Sequence, residues 1–295
     1  MKKIYLNLSI LLILLFLSGC IGPDSSSIEH VITVKDFRVR APSKIVAGST
    51  VPITFWLKNQ GNFIAKNIEV KFFDLQGFEV KNIECDGVKK SENLYFCKIN
   101  EINPGRISRV DVELKTPEST GKKTVSYYVN SDYSGISKLL FNVWKKGEEN
   151  PYGKEQSVTS GGPLKVSMDS SFLIRRASLD EESLDEWIEE GQEFTLYINI
   201  KKTSSRYNFI GDKIEKEKFK VKFNYIEPSG DDCDLTESGG YWIPKDDIDL
   251  NEIKPLICKM RVKDDIGDQQ WVTGDVEVDY TYRYMFIEQE DIVIE

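Results

Sequence analysis

The sequence predicts an all-β protein of two antiparallel β-sandwiches in tandem, and three observations carry that expectation. Apolar residues recur with period two, the segments between them carry turn chemistry, and no stretch of helical period reaches convincing length. Val51-Pro52-Ile53-Thr54-Phe55-Trp56-Leu57 puts apolar residues at the odd positions and Ile68-Glu69-Val70-Lys71-Phe72 at the even ones, the pattern of strands buried on one face. Leu94–Ile99, Val110–Leu114, Val125–Val129 and Leu139–Val143 continue it, separated by Asp-Gly, Pro-Gly and Ser-Gly turn signals.

The second half repeats the order of events. Gly48 is followed by apolar residues at 51, 53, 55 and 57, and Gly191 by apolar residues at 194, 196, 198 and 200, at the same offsets. Phe96-Cys97-Lys98-Ile99 finds its counterpart in Ile257-Cys258-Lys259-Met260. Each half then reads as closing on a tyrosine-rich hairpin, Val125–Tyr133 or Val276–Tyr284, ahead of a last strand at Leu139–Val143 or Ile292–Ile294. A tandem duplication accounts for the match. Between the halves, KKGEENPYGKEQSVTSGGP has the Gly, Pro, Ser and charge content of a linker, so the chain divides at residues 145–163 into domains over 31–144 and 164–295.

The N-terminus reads as an address. Lys2 and Lys3, an apolar run from Ile4 to Leu17 and small residues at Ser18 and Gly19 follow the three-part plan of a secretory signal. The run is shorter than the ~20 residues a helix needs to cross the hydrocarbon layer. Leu17-Ser18-Gly19-Cys20 resembles the lipobox of prokaryotic lipoproteins, where a peptidase cuts before the cysteine and the thiol carries a diacylglycerol-type lipid. The resemblance implies a signal peptide over 1–19, lipid on Cys20 and a tether over 20–30 that contains Gly22-Pro23-Asp24-Ser25-Ser26-Ser27. Two acyl chains hold a membrane stably where one binds only marginally.

Cysteine arithmetic agrees. Five cysteines leave one over in an exported chain, and lipidation of Cys20 takes it. The other four fall as one close pair in each half. Of the three connectivities open to them, we expect Cys85–Cys97 and Cys233–Cys258, each closing a short loop that stabilises by about 3 kcal/mol. Four reduced, buried thiols are the alternative. Zinc fits less well, with no C-x-x-C and the one histidine, His30, in the tether.

In the first half, Ala41-Pro42, Gly48, the strand Ile53–Leu57, Asn59-Gln60-Gly61, Ala65 and Asn67-Ile68-Glu69-Val70 together resemble the CARDB adhesion-related domain over roughly residues 35–143. That resemblance implies an immunoglobulin-like sandwich of prokaryotic surface proteins, without catalytic residues. In the second half Lys201-Lys202-Thr203-Ser204-Ser205 stands where the Asn-x-Gly turn would be, and an acidic insertion, Asp180–Glu190, precedes the shared strand. The insertion places Leu184, Trp187 and Ile188 on one face of a short helix, to dock a partner or to cover a sheet edge.

Composition narrows the function. Loss of Lys2 and Lys3 with the signal takes the formal net charge from -9 to -11, which excludes nucleic acid and adsorption to anionic lipid. A nucleophile paired with histidine has no histidine within reach, and H-E-x-x-H and G-x-S-x-G are absent. Gly121-Lys122-Lys123-Thr124 lacks the leading glycine of a P-loop, since residue 116 is Thr. We therefore expect no enzyme and no cofactor. Two weaker sites stand beside the bland reading of solvated turns and core aromatics. Asp231, Asp232 and Asp234 are the candidate calcium ligands, and Trp242, Tyr280, Tyr282 and Tyr284 the candidate carbohydrate platform.

The sequence thus describes a lipid-anchored protein of the outer face of a prokaryotic cytoplasmic membrane or envelope. Its expected role is structural or adhesive, through an envelope or surface protein as partner. The alternative is an accessory module that binds surface polysaccharide or another ligand.

Overall fold

The computed structural model describes residues 31–40, 44–86, 88–89, 95–145, 156–159, 162–171, 187–203 and 208–295. The first half supplies β1 (Ile32–Val39), β2 (Thr50–Asn59), β3 (Ala65–Asp74), β4 (Glu79–Cys85), β5 (Val88–Lys89), β6 (Phe96–Ile102), β7 (Ile107–Lys115) and β8 (Gly121–Trp144). The second supplies β9 (Gln156–Thr159), β10 (Leu164–Ser170), β11 (Trp187–Glu189), β12 (Glu193–Lys202), β13 (Asn208–Phe209) and β14 (Lys213–Ile214). After a short 3-10 turn at Lys216–Lys218 come β15 (Phe219–Asn224), β16 (Ile226–Cys233), β17 (Leu235–Ser238), β18 (Tyr241–Pro244), β19 (Ile248–Asp249), β20 (Leu256–Val262) and β21 (Trp271–Ile294). The protein is all-β, as the alternation predicts.

Period two sets the faces. Val51, Ile53, Phe55 and Leu57 of β2 are buried, as are Ile68, Val70 and Phe72 of β3 and Phe194, Leu196, Ile198 and Ile200 of β12. Each such side chain withdrawn from water contributes about 1.5–3 kcal/mol before entropy is charged against it. The strands form a five-stranded sheet in the order β1-β2-β7-β4-β5 and a four-stranded sheet in the order β10-β12-β20-β16. A ten-stranded sheet runs β17-β18-β15-β21-β8-β3-β6, with β9, β11 and β13 attached beside that path. A two-stranded ribbon, β14-β19, completes the set.

The two halves obey one plan. β2 lies between β1 and β7 with β4 beyond, and β12 lies between β10 and β20 with β16 beyond. β6-β3-β8 in the large sheet answers to β18-β15-β21. Gly48 and Gly191, which precede the matching strands, share a left-handed backbone with φ of 72° and 76°.

The halves meet in the large sheet. β8 and β21 pair antiparallel along their whole 24-residue lengths, from Gly121 opposite Ile294 to Trp144 opposite Trp271, with no shift of register. At ~3.4 Å per residue the ribbon is about 80 Å long. The five-stranded sheet packs on its Gly121 end, where Phe55 stacks on Tyr127 at 5.0 Å between ring centroids. Cys85 of β4 and Cys97 of β6 bridge those two sheets. The four-stranded sheet packs on the Trp144 end, where the Ser137 hydroxyl donates to the Val166 carbonyl at 2.7 Å. Each long strand therefore serves both lobes.

Three sequence expectations change here. Val125–Tyr133 with Leu139–Val143, and Val276–Tyr284 with Ile292–Ile294, are single strands rather than hairpins followed by a strand. Ser134-Gly135 carries a turn signal yet sits mid-strand, opposite Thr281 and Tyr280, because the partner strand holds it extended. The domains read over 31–144 and 164–295 keep their strand order but share their last strands, and β9, inside the expected linker, pairs with β8. Trp187 and Ile188 form β11, parallel to Asn142–Trp144, rather than part of a helix. Leu184 and Asp180–Glu186 of that insertion lie outside the described residues.

Gly274 of β21 faces inward where a Cβ would meet the Phe141 ring, with Cζ at 2.7 Å. Phe141 is itself buried, so the ring cannot swing into solvent. Gly274→Ala is expected to destabilise the protein by about 1–3 kcal/mol through overpacking, read as a lower urea midpoint at unchanged m-value. An unaltered midpoint would show that the ribbon flexes there.

Candidate functional site

The middle of the ribbon gathers a cluster of buried tyrosines. The inner face there carries Tyr133 on β8 and Tyr280, Tyr282 and Tyr284 on β21, all at most 4% exposed. Tyr133 and Tyr282 stand opposite each other and meet edge-on at 5.9 Å, and Tyr280 stacks along Tyr282 at 6.1 Å. Their hydroxyls tie separate chain segments to the ribbon. The Ile32 amide donates to Tyr284 and the Leu164 amide to Tyr282, each at 3.2 Å, while Tyr280 donates to the Leu164 carbonyl at 3.3 Å. Tyr133 bonds the Asn62 backbone. Gly162 approaches so closely that a Cβ would lie 2.9 Å from both the Tyr133 ring and the Tyr282 hydroxyl.

β1 and β10, end strands of the five- and four-stranded sheets, are thus both clasped at the waist. The tether expected over 20–30 joins the described chain at this waist, since Val31 and Ile32 are buried beneath it. Cys20 itself lies outside the described residues, as does His30.

Burial pushes the Tyr282, Tyr284 and Tyr133 hydroxyls well above their usual 10.0, because the phenolate would lie in an apolar interior. Tyr127, nearer the Gly121 end, is raised by burial first and then by the charges of Glu290 and Glu288.

The carbohydrate platform read from the sequence therefore faces inward. Alternate spacing does put Tyr280, Tyr282 and Tyr284 on one side of a strand, but that side is the core. Trp242, half-buried, packs toward the same interior against Phe223 at 6.0 Å. Tyr282 and Tyr284 are buried at 4% exposure or less, while Tyr280, also buried, borders a cleft on the ribbon and Trp242 keeps part of its surface exposed.

The two cysteine pairs are bridged as expected. Cys233 and Cys258 are opposite residues of neighbouring strands β16 and β20, and join within one sheet. The acidic trio beside that bridge does not converge. The Asp232 carboxylate takes the Lys259 ammonium at 2.7 Å, which holds it below the usual carboxylate range, and Asp234 accepts from the Ile257 amide at 2.8 Å. Among the described residues no group of three His, Cys, Asp or Glu side chains is placed to hold a metal ion.

The outer face of the ribbon is polar. Asp132 and Arg283 stand opposite each other at its centre and pair at 3.1 Å. Lys138 reaches Asp275 at 3.2 Å and Glu277 at 3.3 Å, and these carboxylates hold its ammonium charged to higher pH than usual. A shallow cleft of about 460 Å³ lies alongside, lined by Phe63, Ser134, Ile136, Lys220, Tyr241 and Asp279. Lys220 and Lys222 each stand 5.0 Å from the Tyr241 ring centroid. Burial and then the neighbouring Glu277 raise Asp279, against the opposing pull of the two lysines. Lysine, arginine and acidic side chains thus pair across the strands on this face.

Neither a family model nor a curated protein sequence matches the chain. Among solved structures, the bacterial hydrophobin BslA is similar at 11% identity and a TM-score of 0.28, over 45% of this chain and 96% of its own. AvmM, which catalyses macrocyclisation in alchivemycin A biosynthesis, is similar at 11% identity and a TM-score of 0.24, over 45% and 89%. The ASH/PapD-like domain 7 of human CEP192 follows at 13% identity and a TM-score of 0.22, over 39% and 80%. Likenesses at this level carry no argument about function.

The clasp makes an alkaline prediction. A hydroxyl whose folded pKa lies above its unfolded value keeps its proton in the fold, so its contribution is complete below pH 10 and is lost as the pH rises beyond it. In a spectrophotometric titration, Tyr127, Tyr133, Tyr282 and Tyr284, four of the 13 tyrosines, are expected to stay silent until the protein unfolds and then to ionise together. Independent titration of these four near the ordinary value would refute the burial.

Proposed function

We propose that this protein is a lipid-anchored structural element of a prokaryotic envelope, built of two immunoglobulin-like sandwiches that exchange an edge strand. In an immunoglobulin sandwich of constant type one sheet carries strands A, B, E and D and the other C, F and G. β1, β2, β7 and β4 take the A, B, E and D places here, and β3 and β8 those of C and F. The place of G beside β8 is held by β21, the F strand of the other half, and the exchange is reciprocal.

The observation that carries the reading is the unbroken register of that shared ribbon. Tandem sandwiches joined by a flexible linker bend at the linker, whereas these are joined by 24 consecutive paired residues along the molecular length. A stiff body of about 80 Å with an acidic, salt-bridged surface is suited to spacing and bracing. The lipobox resemblance puts its anchor at Cys20. The 11 residues from Cys20 to His30 span at most about 40 Å, so the waist is held near the bilayer and both lobes are offered sideways to neighbours.

Expressed in a bacterial or archaeal host, the wild-type protein is expected to partition into the detergent phase and its Cys20→Ala variant into the aqueous phase. The wild-type peptide that begins at Cys20 should carry the mass of a diacyl modification. Cross-linking on intact envelopes should join both lobes to the same neighbouring protein. An unmodified Cys20 in a freely soluble chain would end the anchoring reading, and an absence of protein cross-links would end the bracing role.

A further inference from the structure

At the Trp144 end of the ribbon, on the face turned away from the four-stranded sheet, lies a shallow cleft of about 690 Å³. Asn224, Tyr225, Gln269, Gln270, Trp271 and Thr273 line it. Charged residues make up 29% of the chain, yet this lining has none. What it does have is one aromatic ring in the open, a second beside it and three side-chain amides.

Each component is held by the fold. Trp271 is the first residue of β21 and is 47% exposed, while its rung partner Trp144 is buried. Tyr225 is the single residue between β15 and β16, and it holds a left-handed φ of 62°, an unfavourable backbone for a bulky side chain. Its carbonyl accepts from the Lys263 amide, which keeps the turn in that conformation. Asn224 donates one amide hydrogen to Asp275 at 3.1 Å, leaving its amide oxygen available. The side chains of Gln269 and Gln270 have no partner among the described residues, and the Gln270 carbonyl is fixed by the Lys145 amide at 3.0 Å.

We infer that this cleft is a binding site for neutral carbohydrate. An indole in the open stacks on the apolar C–H face of a pyranose, and the half-buried Tyr225 borders the same cleft. Carboxamides present a donor pair beside an acceptor, which matches the vicinal hydroxyls of a sugar. The missing charge sets the ligand class: anionic or cationic ligands find no counter-ion, whereas a neutral polyol needs none. Tyr225 packs in part against the core, and its left-handed backbone holds it at the edge of the cleft beside the exposed amides of Gln269 and Gln270. The site shares no residue with the carbohydrate platform read from the sequence, and it does not depend on the lipid anchor.

The test uses the full chain in a zwitterionic detergent free of sugar headgroups, on an array of neutral hexose and N-acetylhexosamine oligosaccharides, with titration calorimetry on the strongest. Saturable binding is expected that persists at high salt and weakens at least about tenfold in Trp271→Ala. Trp271→Phe should restore part of it. A Gln269→Ala/Gln270→Ala double variant, which removes no packed ring, should weaken binding as well, and all variants should keep the wild-type circular dichroism. Cys20→Ala should bind the same oligosaccharides unchanged, so failure of anchoring and failure of this site are separate results. The inference is overturned if no neutral oligosaccharide is retained, if retention survives both Trp271→Ala and the double variant, or if only charged glycans or peptides are held.

Discussion

The ladder between β8 and β21 gives each lobe a strand that the lobe's own half of the sequence does not contribute. Without it, β8 and β21 would each present an open edge to solvent, and unpaired N–H and C=O groups along a flat strand invite pairing with other chains. The exchange closes both edges with one ribbon. It also explains why β8 and β21, at 24 residues each, are more than twice as long as β3 and β15 beside them: the first part of each completes its own sheet, and the second crosses to the other lobe.

Side chains make that backbone arrangement specific. Inward residues alternate without interruption along β8 from Val125 to Val143, so a slip of one residue in the pairing would turn the whole row outward. At the waist, the two lobes have little aliphatic core to share, and tyrosines fill the space. A tyrosine brings a large apolar ring and a hydroxyl in one residue, and so packs the junction while satisfying the backbone amides of Ile32 and Leu164 that enter it. On the opposite face, Asp132 with Arg283 and Lys138 with Asp275 and Glu277 cover the ribbon with paired charge.

The local features were legible from the residues. Strict alternation located β2, β3, β7 and β12, and the spacing of the cysteines located both bridges, because these depend on near neighbours in the chain. The shared ribbon was not, since it joins residues such as Gly121 and Ile294 and no local pattern reports so distant a pairing. Ser134-Gly135 misled for the same reason: turn chemistry states what the backbone tolerates, and the partner strand decides otherwise. Alternation in Tyr280, Tyr282 and Tyr284 announces a common face without saying which face is the core. The cleft at the Trp144 end escaped because Asn224-Tyr225 and Gln269-Gln270-Trp271 are far apart in the chain. An uncharged Gln-Gln-Trp run in a strongly charged sequence was the one available signal.

Strand exchange also governs when the protein finishes folding. A chain delivered from its N-terminus brings out all of β1 to β8 first, yet the strand that closes the first lobe is made of residues 282–294, which follow much later in the chain. Contacts of such separation close slowly, since a long loop must be ordered before they form. The first lobe therefore waits, with its edge open, until residues 282–294 have emerged. Its Cys85–Cys97 bridge joins residues only 12 apart, so it can hold the two waiting sheets together through that interval.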